Sequence, residues 1–423
     1  MANVRIKCAQ TIQTIIEDKV FFAELKNDFG EKDLPFANML ILTALRHWTG
    51  LNEILRTFLK KKIPHKHRTA QYLLLLAIAE LILMETAPYA VINETVKNVR
   101  AVSDKFLSGM ANAVLRKITG DIDFWRKKLQ IINPLPASFL PLLKGYDTAQ
   151  IEQIAQSVFE QPRTDISVKS NPEQWAKKLN AEILPNGSLR LHDAAKISSM
   201  EGYESGDWWV QDVAASLPVM AMGDVKGKKV VDLCAAPGGK TAQLLAGGAE
   251  VIAVDISADR LEKLRQNMQR IGFEEKVQII CDDALDFLHT TEDEAFDAVL
   301  LDAPCSATGT FRRHPEVLHI KTTDDVIQQA KIQQQLLENS ARIVKKGGII
   351  LYSVCSIAQA EGELQIDNFL NQHKNFKILP ITYTGIKISG LIQNKGWVRT
   401  LPYHLQQDGG MDAFFICKLQ RII

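Results

Sequence analysis

Residues 230–241, VVDLCAAPGGKT, decide the fold, because an apolar run ends there in a turn of small residues and a helical pattern follows. Four more apolar runs come after it, separated from one another by helical patterns. They are EVIAVD at 250–255, KVQIIC at 276–281, DAVLLD at 297–302 and GIILYS at 348–353. Strands that alternate with helices are typical of a doubly wound parallel sheet. Residues 223–423 are therefore predicted to form an α/β, Rossmann-like domain.

Upstream of this domain the pattern is helical. Apolar residues recur at helical spacing from Ile12 to Val20, and similar segments follow them. The sequence Asn133-Pro134-Leu135-Pro136 then interrupts the pattern. We predict an all-α bundle over residues 1–134 and a small mixed α/β connector over residues 135–222.

The overall composition is that of an ordinary globular protein. The chain has 423 residues, 50 Lys+Arg against 49 Asp+Glu, and 46% hydrophobic residues, which excludes disordered and collagen-like chains. No apolar stretch reaches the roughly 20 residues of a membrane-spanning helix. Charged residues also interrupt the N-terminal stretch where a signal peptide needs an apolar core. We therefore expect a cytoplasmic protein with no membrane partner.

Charge is uneven along the chain. Residues 1–134 hold 20 Lys+Arg and 13 Asp+Glu, and the excess peaks in KKKIPHKHR at 60–68. Such a cluster fits a surface that faces RNA phosphates. It is equally typical of a solvated loop between helices, and the run alone favours neither interpretation.

The six cysteines stand at positions 8, 234, 281, 305, 355 and 417, without a C-x-x-C pair or a cluster of zinc-ligand spacing. Neither a metal site nor a disulfide framework is predicted. Cys8 and Cys417 are expected to be small buried side chains. Cys234 is interpreted as a residue chosen for its size in the turn, and Cys281 as structural.

Cys305 and Cys355 differ from the others, because each closely follows the end of a predicted strand. The two sequences are Asp302-Ala-Pro-Cys305-Ser and Tyr352-Ser-Val-Cys355-Ser. One such cysteine is compatible with packing. Two that face one site, with a carboxylate beside one of them, favour thiol chemistry.

The other strand ends carry groups suited to a nucleoside. The small-residue turn lets a ligand approach the backbone, Asp255 suits ribose hydroxyls, and Asp282 suits an adenosine. The turn lacks both G-x-G-x-x-G and G-x-x-x-x-G-K-[ST], so a cofactor without a pyrophosphate is favoured, namely S-adenosylmethionine. The residues predicted to bind it are Cys234, Ala235, Ala236, Pro237, Gly238, Gly239, Lys240, Asp255, Asp282 and Asp302.

DLCAAPGGKT, DAPCSATG and YSVCS together resemble the motifs of the two-cysteine RNA cytosine carbon-5 methyltransferases of the Sun/Fmu family, and the similarity covers residues 160–423. Residues 1–134 resemble a NusB-like RNA-binding bundle, notably in YAVINETVKNV and GMANAVLRKI. The combination is similar to bacterial small-subunit rRNA methyltransferases of the B type. It implies a class I methyltransferase fold, S-adenosylmethionine as cofactor, and unassembled or partly assembled small-subunit rRNA as partner.

The resemblance also implies roles for four residues, and cytosine chemistry agrees with them. Carbon 5 of cytosine is too weak a nucleophile until a thiolate adds to carbon 6, and that thiolate is assigned to Cys355. Asp302 would hydrogen-bond nitrogen 3 and the exocyclic amine of the base, and Lys240 would orient Asp302. Cys305 would assist release of the methylated base.

Some interpretations stay open. Asp283 is assigned to a helix N-terminus rather than to the cofactor, and Arg312, Arg313 and His314 are candidates for phosphate contact or for a solvated loop. A nicotinamide-dependent dehydrogenase would account for the sheet and Asp255, but it would leave both strand-end cysteines without a role. An RNA-binding assembly factor with a decayed enzyme domain is the third hypothesis.

Overall fold

The computed structural model describes residues 3–59, 61–192, 196–383, 386, 388 and 390–422. Helices alone make up the first third, and strands appear from residue 165 onward. The helices are α1 Val4–Asp18, α2 Phe22–Leu25, α3 Leu34–Arg46, α4 Trp48–Phe58, α5 Arg68–Leu83, α6 Pro88–Val102, α7 Lys105–Thr119, α8 Ile122–Ile131, α9 Thr148–Ser157, α10 Pro172–Lys178, α11 Val213–Met222, α12 Gly239–Ala246, α13 Ala258–Arg270, α14 Ala284–Thr290, α15 Val317–Ile320, α16 Thr323–Ile343 and α17 Glu363–Gln372. The strands are β1 Asp165–Val168, β2 Ala181–Ile183, β3 Leu189–Leu191, β4 Trp208–Val210, β5 Lys229–Leu233, β6 Glu250–Asp255, β7 Val277–Cys281, β8 Phe296–Asp302, β9 Val344–Val354, β10 Phe376–Ile378, β11 Val398–Arg399 and β12 Phe415–Arg421.

The chain forms two compact units. A helical unit lies within residues 1–141, 148–160 and 311–322, and a second unit, called here the catalytic unit, lies within 142–147, 161–310 and 323–423. The predicted division at 134 and 222 differs from these units, because two later segments of the chain return to the helical unit. No helix of the described residues is long and apolar enough to cross a membrane.

The helical unit is built around α5, whose residues from Tyr72 to Ile82 are buried. Helices α1, α3, α6 and α7 pack around it, as the apolar spacing of the sequence predicted. The buried guanidinium of Arg46 donates to the carbonyls of Val158, Glu160 and Arg312 at 2.8, 3.0 and 2.8 Å. Because a buried carbonyl needs a hydrogen-bond donor, Arg46 fastens both returning segments to the bundle.

This arrangement corrects one sequence interpretation. Arg312 was a candidate for contact with RNA phosphates, but its side chain is 0% exposed within the helical unit. The segment that contains Arg312, Arg313 and His314 is therefore partly buried in the unit and is not simply a solvated loop. His319, five residues after His314, also contacts the carbonyl of Leu45 at 2.9 Å.

The main sheet of the catalytic unit has the strand order β10-β12-β9-β8-β5-β6-β7, and β11 pairs with β12. The five predicted strands, β5 to β9, are parallel, which confirms that part of the prediction. Beyond these five strands the sheet is mixed, because β12 runs antiparallel to β9. An antiparallel neighbour needs no helical crossover. The strand β12, FICKLQR, was not among the predicted strands.

The predicted connector contains a four-stranded antiparallel sheet in the order β2-β3-β1-β4, together with α10. Trp175, Ile166 and Trp208 form its core. The buried side chains of Arg190 and Asp165 pair through two bonds of 2.6 and 2.8 Å. The mixed α/β character predicted for this region is confirmed.

Candidate active site

The carboxyl ends of β5 and β8 meet at the switch point of the sheet, because the chain proceeds from β5 to β6 on one side and β8 lies on the other. Ligands of doubly wound sheets bind in the crevice at such a point. A cavity of 480 Å³ opens there. Eight of the ten predicted cofactor residues line it, namely Cys234, Ala235, Ala236, Pro237, Gly238, Gly239, Lys240 and Asp302.

The turn between β5 and α12 needs glycine for two reasons. Gly238 has a φ of +98°, in the left-handed region that L side chains rarely adopt. A Cβ atom there would also lie 2.9 Å from Leu264 Cγ. Glycine at position 238 therefore allows the turn to pack closely against α13.

Neither Asp255 nor Asp282 is among the described residues that line this cavity. Asp255 is 2% exposed, and its two oxygens accept from the N–H groups of Ala236 at 3.1 Å and Ser257 at 3.0 Å. Asp282 lies next to it, with its N–H donating to the Asp255 carbonyl. Asp255 thus braces the turn at the edge where β6 ends.

Asp302 is held in a defined orientation at the end of β8. The Lys240 ammonium donates to Asp302 Oδ2 at 2.7 Å, and the Ser353 hydroxyl donates to Oδ1 at 2.8 Å. Burial lowers the pKa of Lys240, but attraction to Asp302 outweighs it, so that the net change is upward. Lys240 therefore remains a cation beside the carboxylate, as the predicted orienting role requires.

Cys305 and Cys355 come together as predicted. They follow the neighbouring parallel strands β8 and β9, and their Sγ atoms lie 3.3 Å apart. The hydrogen bond with Cys355 and burial both raise the pKa of the Cys305 thiol well above its usual range. At neutral pH Cys305 is therefore a protonated thiol that can donate to Cys355.

Asp232 is a cavity residue that the sequence reasoning missed. Its side chain is fully buried, Oδ2 accepts from the Thr241 hydroxyl at 2.7 Å, and Oδ1 has no hydrogen-bond partner in the part of the chain that the structure describes. Burial raises the pKa of Asp232 to about 7. The signal was present in the sequence, because VVDLC places a carboxyl group inside an otherwise apolar strand.

The remaining sequence assignments have mixed outcomes. Cys8 and Cys417 are buried, as expected, and burial raises the pKa of Cys234 to about 12, which leaves it inert. Cys281, interpreted as structural, is exposed, and its thiol donates to the Ile256 carbonyl at 3.8 Å. Asp283 caps α14 by accepting from the Leu285 N–H at 2.8 Å, as predicted. The described residues contain no group of His, Cys, Asp and Glu suited to a metal ion.

Family models match most of the chain. The model described as 16S rRNA methyltransferase RsmB/F matches residues 219–420, and the NusB family model matches residues 2–120. The ribosomal RNA small subunit methyltransferase B of Erwinia tasmaniensis is 29% identical over 443 residues, which cover 99% of each chain. The protein of the same description from Yersinia pestis bv. Antiqua is 29% identical over 442 residues, covering 99% of this chain and 98% of that one.

Solved structures share the fold. The crystal structure of PH0851 superposes with a TM-score of 0.73 and 22% identity, over 92% of this chain and 91% of that one. NSun6 from Pyrococcus horikoshii with SFG gives a TM-score of 0.58 and 18% identity, over 68% of this chain and 98% of that one. The two family matches agree with the fold and with the paired cysteines: residues 219–420 belong to the RsmB/F family of rRNA methyltransferases, and residues 2–120 belong to the NusB family.

Proposed function

We propose that this chain transfers a methyl group from S-adenosylmethionine to carbon 5 of a cytosine in small-subunit rRNA, through a transient bond between Cys355 and carbon 6. The observation that carries the proposal is the 3.3 Å separation of the Cys305 and Cys355 thiols. The oriented Asp302 precedes Cys305 by three residues and supports the same chemistry. A dehydrogenase has no use for two adjacent thiols.

Cys355 is the thiol that we assign to addition. A protonated Cys305 can stabilise the Cys355 thiolate by donating a hydrogen bond to it. When the sulfur of Cys355 bonds to carbon 6, the electron pair of the ring double bond moves to carbon 5 and makes it nucleophilic. Each Asp302 oxygen keeps a lone pair that can accept from the exocyclic amine, or from nitrogen 3 once it carries a proton.

Release of the methylated base needs a proton to leave carbon 5 and the bond between carbon 6 and sulfur to break. We assign Cys305 to both events. It gives its own proton to the departing Cys355 sulfur and takes the proton from carbon 5, so that both thiols end protonated. Its raised pKa suits this exchange, because the Cys305 thiolate is then a strong base.

The residues at the switch point fit the cofactor. A volume of 480 Å³ is in the range of small-molecule sites, and the turn at Gly238 lines it in a conformation that L side chains rarely adopt. The turn residues 234–240 would hold the cofactor, with Asp255 and Asp282 beside them for its ribose and adenine. Bound there, S-adenosylmethionine would supply an electrophilic methyl group.

We propose that the helical unit holds the RNA by its phosphates, in the cytoplasm. A cavity of 300 Å³ in this unit has three cations, Arg56, Lys62 and Arg68, and no carboxylate among the described residues that line it. Arg68 is partly neutralised by Glu17, at 3.1 Å. Lys61, Lys62 and Lys66 are exposed, whereas Lys60 of the same cluster lies outside the described residues.

The proposed thiol roles are tested with two alanine variants. Cys355→Ala is expected to abolish methyl transfer to rRNA while leaving S-adenosylhomocysteine affinity, measured by calorimetry, nearly unchanged. Cys305→Ala is expected to accumulate a protein–RNA adduct that survives denaturing electrophoresis, because release is blocked after addition. The adduct should disappear in the double variant.

Two results would contradict the assignment. Substantial methyl transfer by Cys355→Ala would remove Cys355 as the nucleophile. An adduct that persists in the double variant would show that another group attacks the base. Bisulfite sequencing of rRNA from cells with and without the gene identifies the modified cytosine.

A further inference from the structure

The segment after β8 that contains Cys305 and the segment after β9 that contains Cys355 are called the Cys305 loop and the Cys355 loop. Both contact one buried carboxylate, which has no role in the mechanism proposed above. Glu361 is 0% exposed and belongs to a short 3-10 turn over Gln359–Glu361. Glu361 Oε1 accepts from the N–H of Ser306 at 2.8 Å, and Oε2 accepts from the hydroxyls of Ser306 and Ser356, each at 2.5 Å. Ser306 follows Cys305 and Ser356 follows Cys355, so one side chain ties together the residues next to both thiols.

Other contacts fix Glu361 itself. The side-chain amide of Gln333, on α16, donates to Oε1 at 2.9 Å. The hydroxyl of Tyr352 donates to the Glu361 carbonyl at 2.6 Å. All four groups that point at the carboxylate are donors, and this is the reason that an acidic residue is needed there. A carboxylate only accepts, whereas an amide of the same size would present two N–H groups to the same donors.

We propose that Glu361 is the positioning residue that sets the separation of the Cys305 and Cys355 thiols, and so couples addition to release. The inference rests on the proposed function, and it concerns a group that does not touch the base. Without the carboxylate, each loop keeps its backbone pairing but loses the shared anchor. The thiols then separate, and the proton exchange between them slows.

The two serines make the inference specific, because each ties one loop to the same carboxylate. Ser306→Ala removes one of the two bonds between the Cys305 loop and Glu361, because the Ser306 N–H still donates to Oε1. Release should slow about threefold, and the protein–RNA adduct should accumulate. Ser356→Ala frees the Cys355 loop, so addition should slow about tenfold without an accumulated adduct. A residue that only stabilised the fold would affect both variants alike.

Glu361→Gln removes the anchor for both loops at nearly constant side-chain volume. Its turnover number should fall about a hundredfold, as expected for reacting groups displaced by about 1 Å, with S-adenosylhomocysteine affinity unchanged. In crystals of this variant the Sγ atoms of Cys305 and Cys355 should lie well beyond the 3.3 Å of the wild-type chain. This structural readout does not depend on methyl transfer.

The matched control is Ser340→Ala. Ser340 is also fully buried in the catalytic unit, but its hydroxyl donates to the Leu336 carbonyl within α16, away from both loops. It should leave turnover, adduct level and the thiol separation unchanged. Equal adduct levels in Ser306→Ala and Ser356→Ala, or an unchanged thiol separation in Glu361→Gln, would overturn the inference.

Failure of the inference is distinguishable from failure of the proposed function. If the wild-type chain transfers no methyl group to rRNA, the proposed function fails, while the thiol separation in Glu361→Gln still decides the positioning role. If Glu361→Gln fails to fold, the asymmetry between the two serine variants decides it.

Discussion

Asp232 carries an ionisable group into the buried interior of β5, and that placement has a consequence for stability. Burial raises the pKa of its carboxyl group from 3.8 to about 7. Between these values the folded chain keeps a proton that the unfolded chain has lost. The contribution of Asp232 to the free energy of unfolding therefore falls as pH rises through this window, by roughly 1 kcal/mol per pH unit.

We accordingly predict that Asp232→Asn stabilises the chain, and that its advantage in Tm grows from pH 5 to pH 7.5. The asparagine keeps an oxygen for the Thr241 hydroxyl, which donates at 2.7 Å to Asp232 in the wild type. Thermal unfolding of both proteins across this range measures the effect. A difference in Tm that does not change with pH would contradict the prediction.

Asp297→Asn is a control for which the change in stability at neutral pH should have the opposite sign. The hydrogen bond from Lys345 lowers the pKa of Asp297, so this carboxylate contributes stability above its ordinary pKa and loses it in acid. The variant should be less stable than the wild type at neutral pH, and the difference should shrink as pH falls below about 4.

At the scale of elements, the turn from β5 into α12 depends on the conformation of one glycine, Gly238. Gly238→Ala combines a strained φ with a Cβ atom that would lie 2.9 Å from Leu264 Cγ and 3.1 Å from Met268 Cε. We expect a loss of stability of about 2 kcal/mol or more. Because the turn must shift, affinity for S-adenosylhomocysteine should fall at least about tenfold, as measured by calorimetry.

A substitution at Gly227 separates the effect of backbone strain from the effect of the shape of the turn. Gly227 also has a positive φ, +68°, but nothing lies within 4 Å of its Cβ position and it does not line the cavity. Gly227→Ala should cost about 1 kcal/mol of stability through backbone strain alone, without change in cofactor affinity. Equal loss of affinity in both variants would show that backbone strain, not the shape of the turn, controls binding.

At the scale of the whole molecule, residues 1–134 carry an excess of cations. This excess favours the proposal that the helical unit binds the RNA while the other unit carries out the reaction. We predict that the double variant Arg56→Gln, Lys62→Gln weakens rRNA binding, because both residues line the basic cavity of the helical unit. The salt dependence of binding should fall by about 1.4 in the slope of log K against log salt, for two lost phosphate contacts. Fluorescence anisotropy with labelled rRNA at several salt concentrations measures it.

The charge-matched control is Lys61→Gln, Lys66→Gln. These residues belong to the same exposed run but do not line the cavity. They should reduce the slope by less than half as much, and neither double variant should alter S-adenosylhomocysteine affinity. Equal effects of the two pairs would mean that the RNA is held by diffuse charge rather than by the cavity.

The sequence by itself determined the features that depend on local order. The strands β5 to β9 follow from short apolar runs, the turn from its small residues, and α5 from a long apolar helix pattern. Part of the site could also be predicted, because the end of each strand can be located in the sequence. The carboxyl ends of parallel strands meet at one edge of the sheet. Cys305, Cys355 and Asp302 were found in this way, whereas the role of Lys240 was implied by the family resemblance, and the structure brings the four residues together in pairs.

Only the tertiary structure decided which side chains meet across long separations in sequence. The side chain of Arg312 is buried, and its carbonyl accepts a hydrogen bond from Arg46, 266 residues earlier in the chain. The convergence of Ser306 on Glu361, 55 residues away, appears only when β8 and β9 pair. The direction of β12 is likewise set by its neighbour β9 and not by its own period of two, which is the same for parallel and antiparallel strands. Pairing, burial and anchoring of this kind depend on the energy of long-range contacts, and no local pattern encodes them.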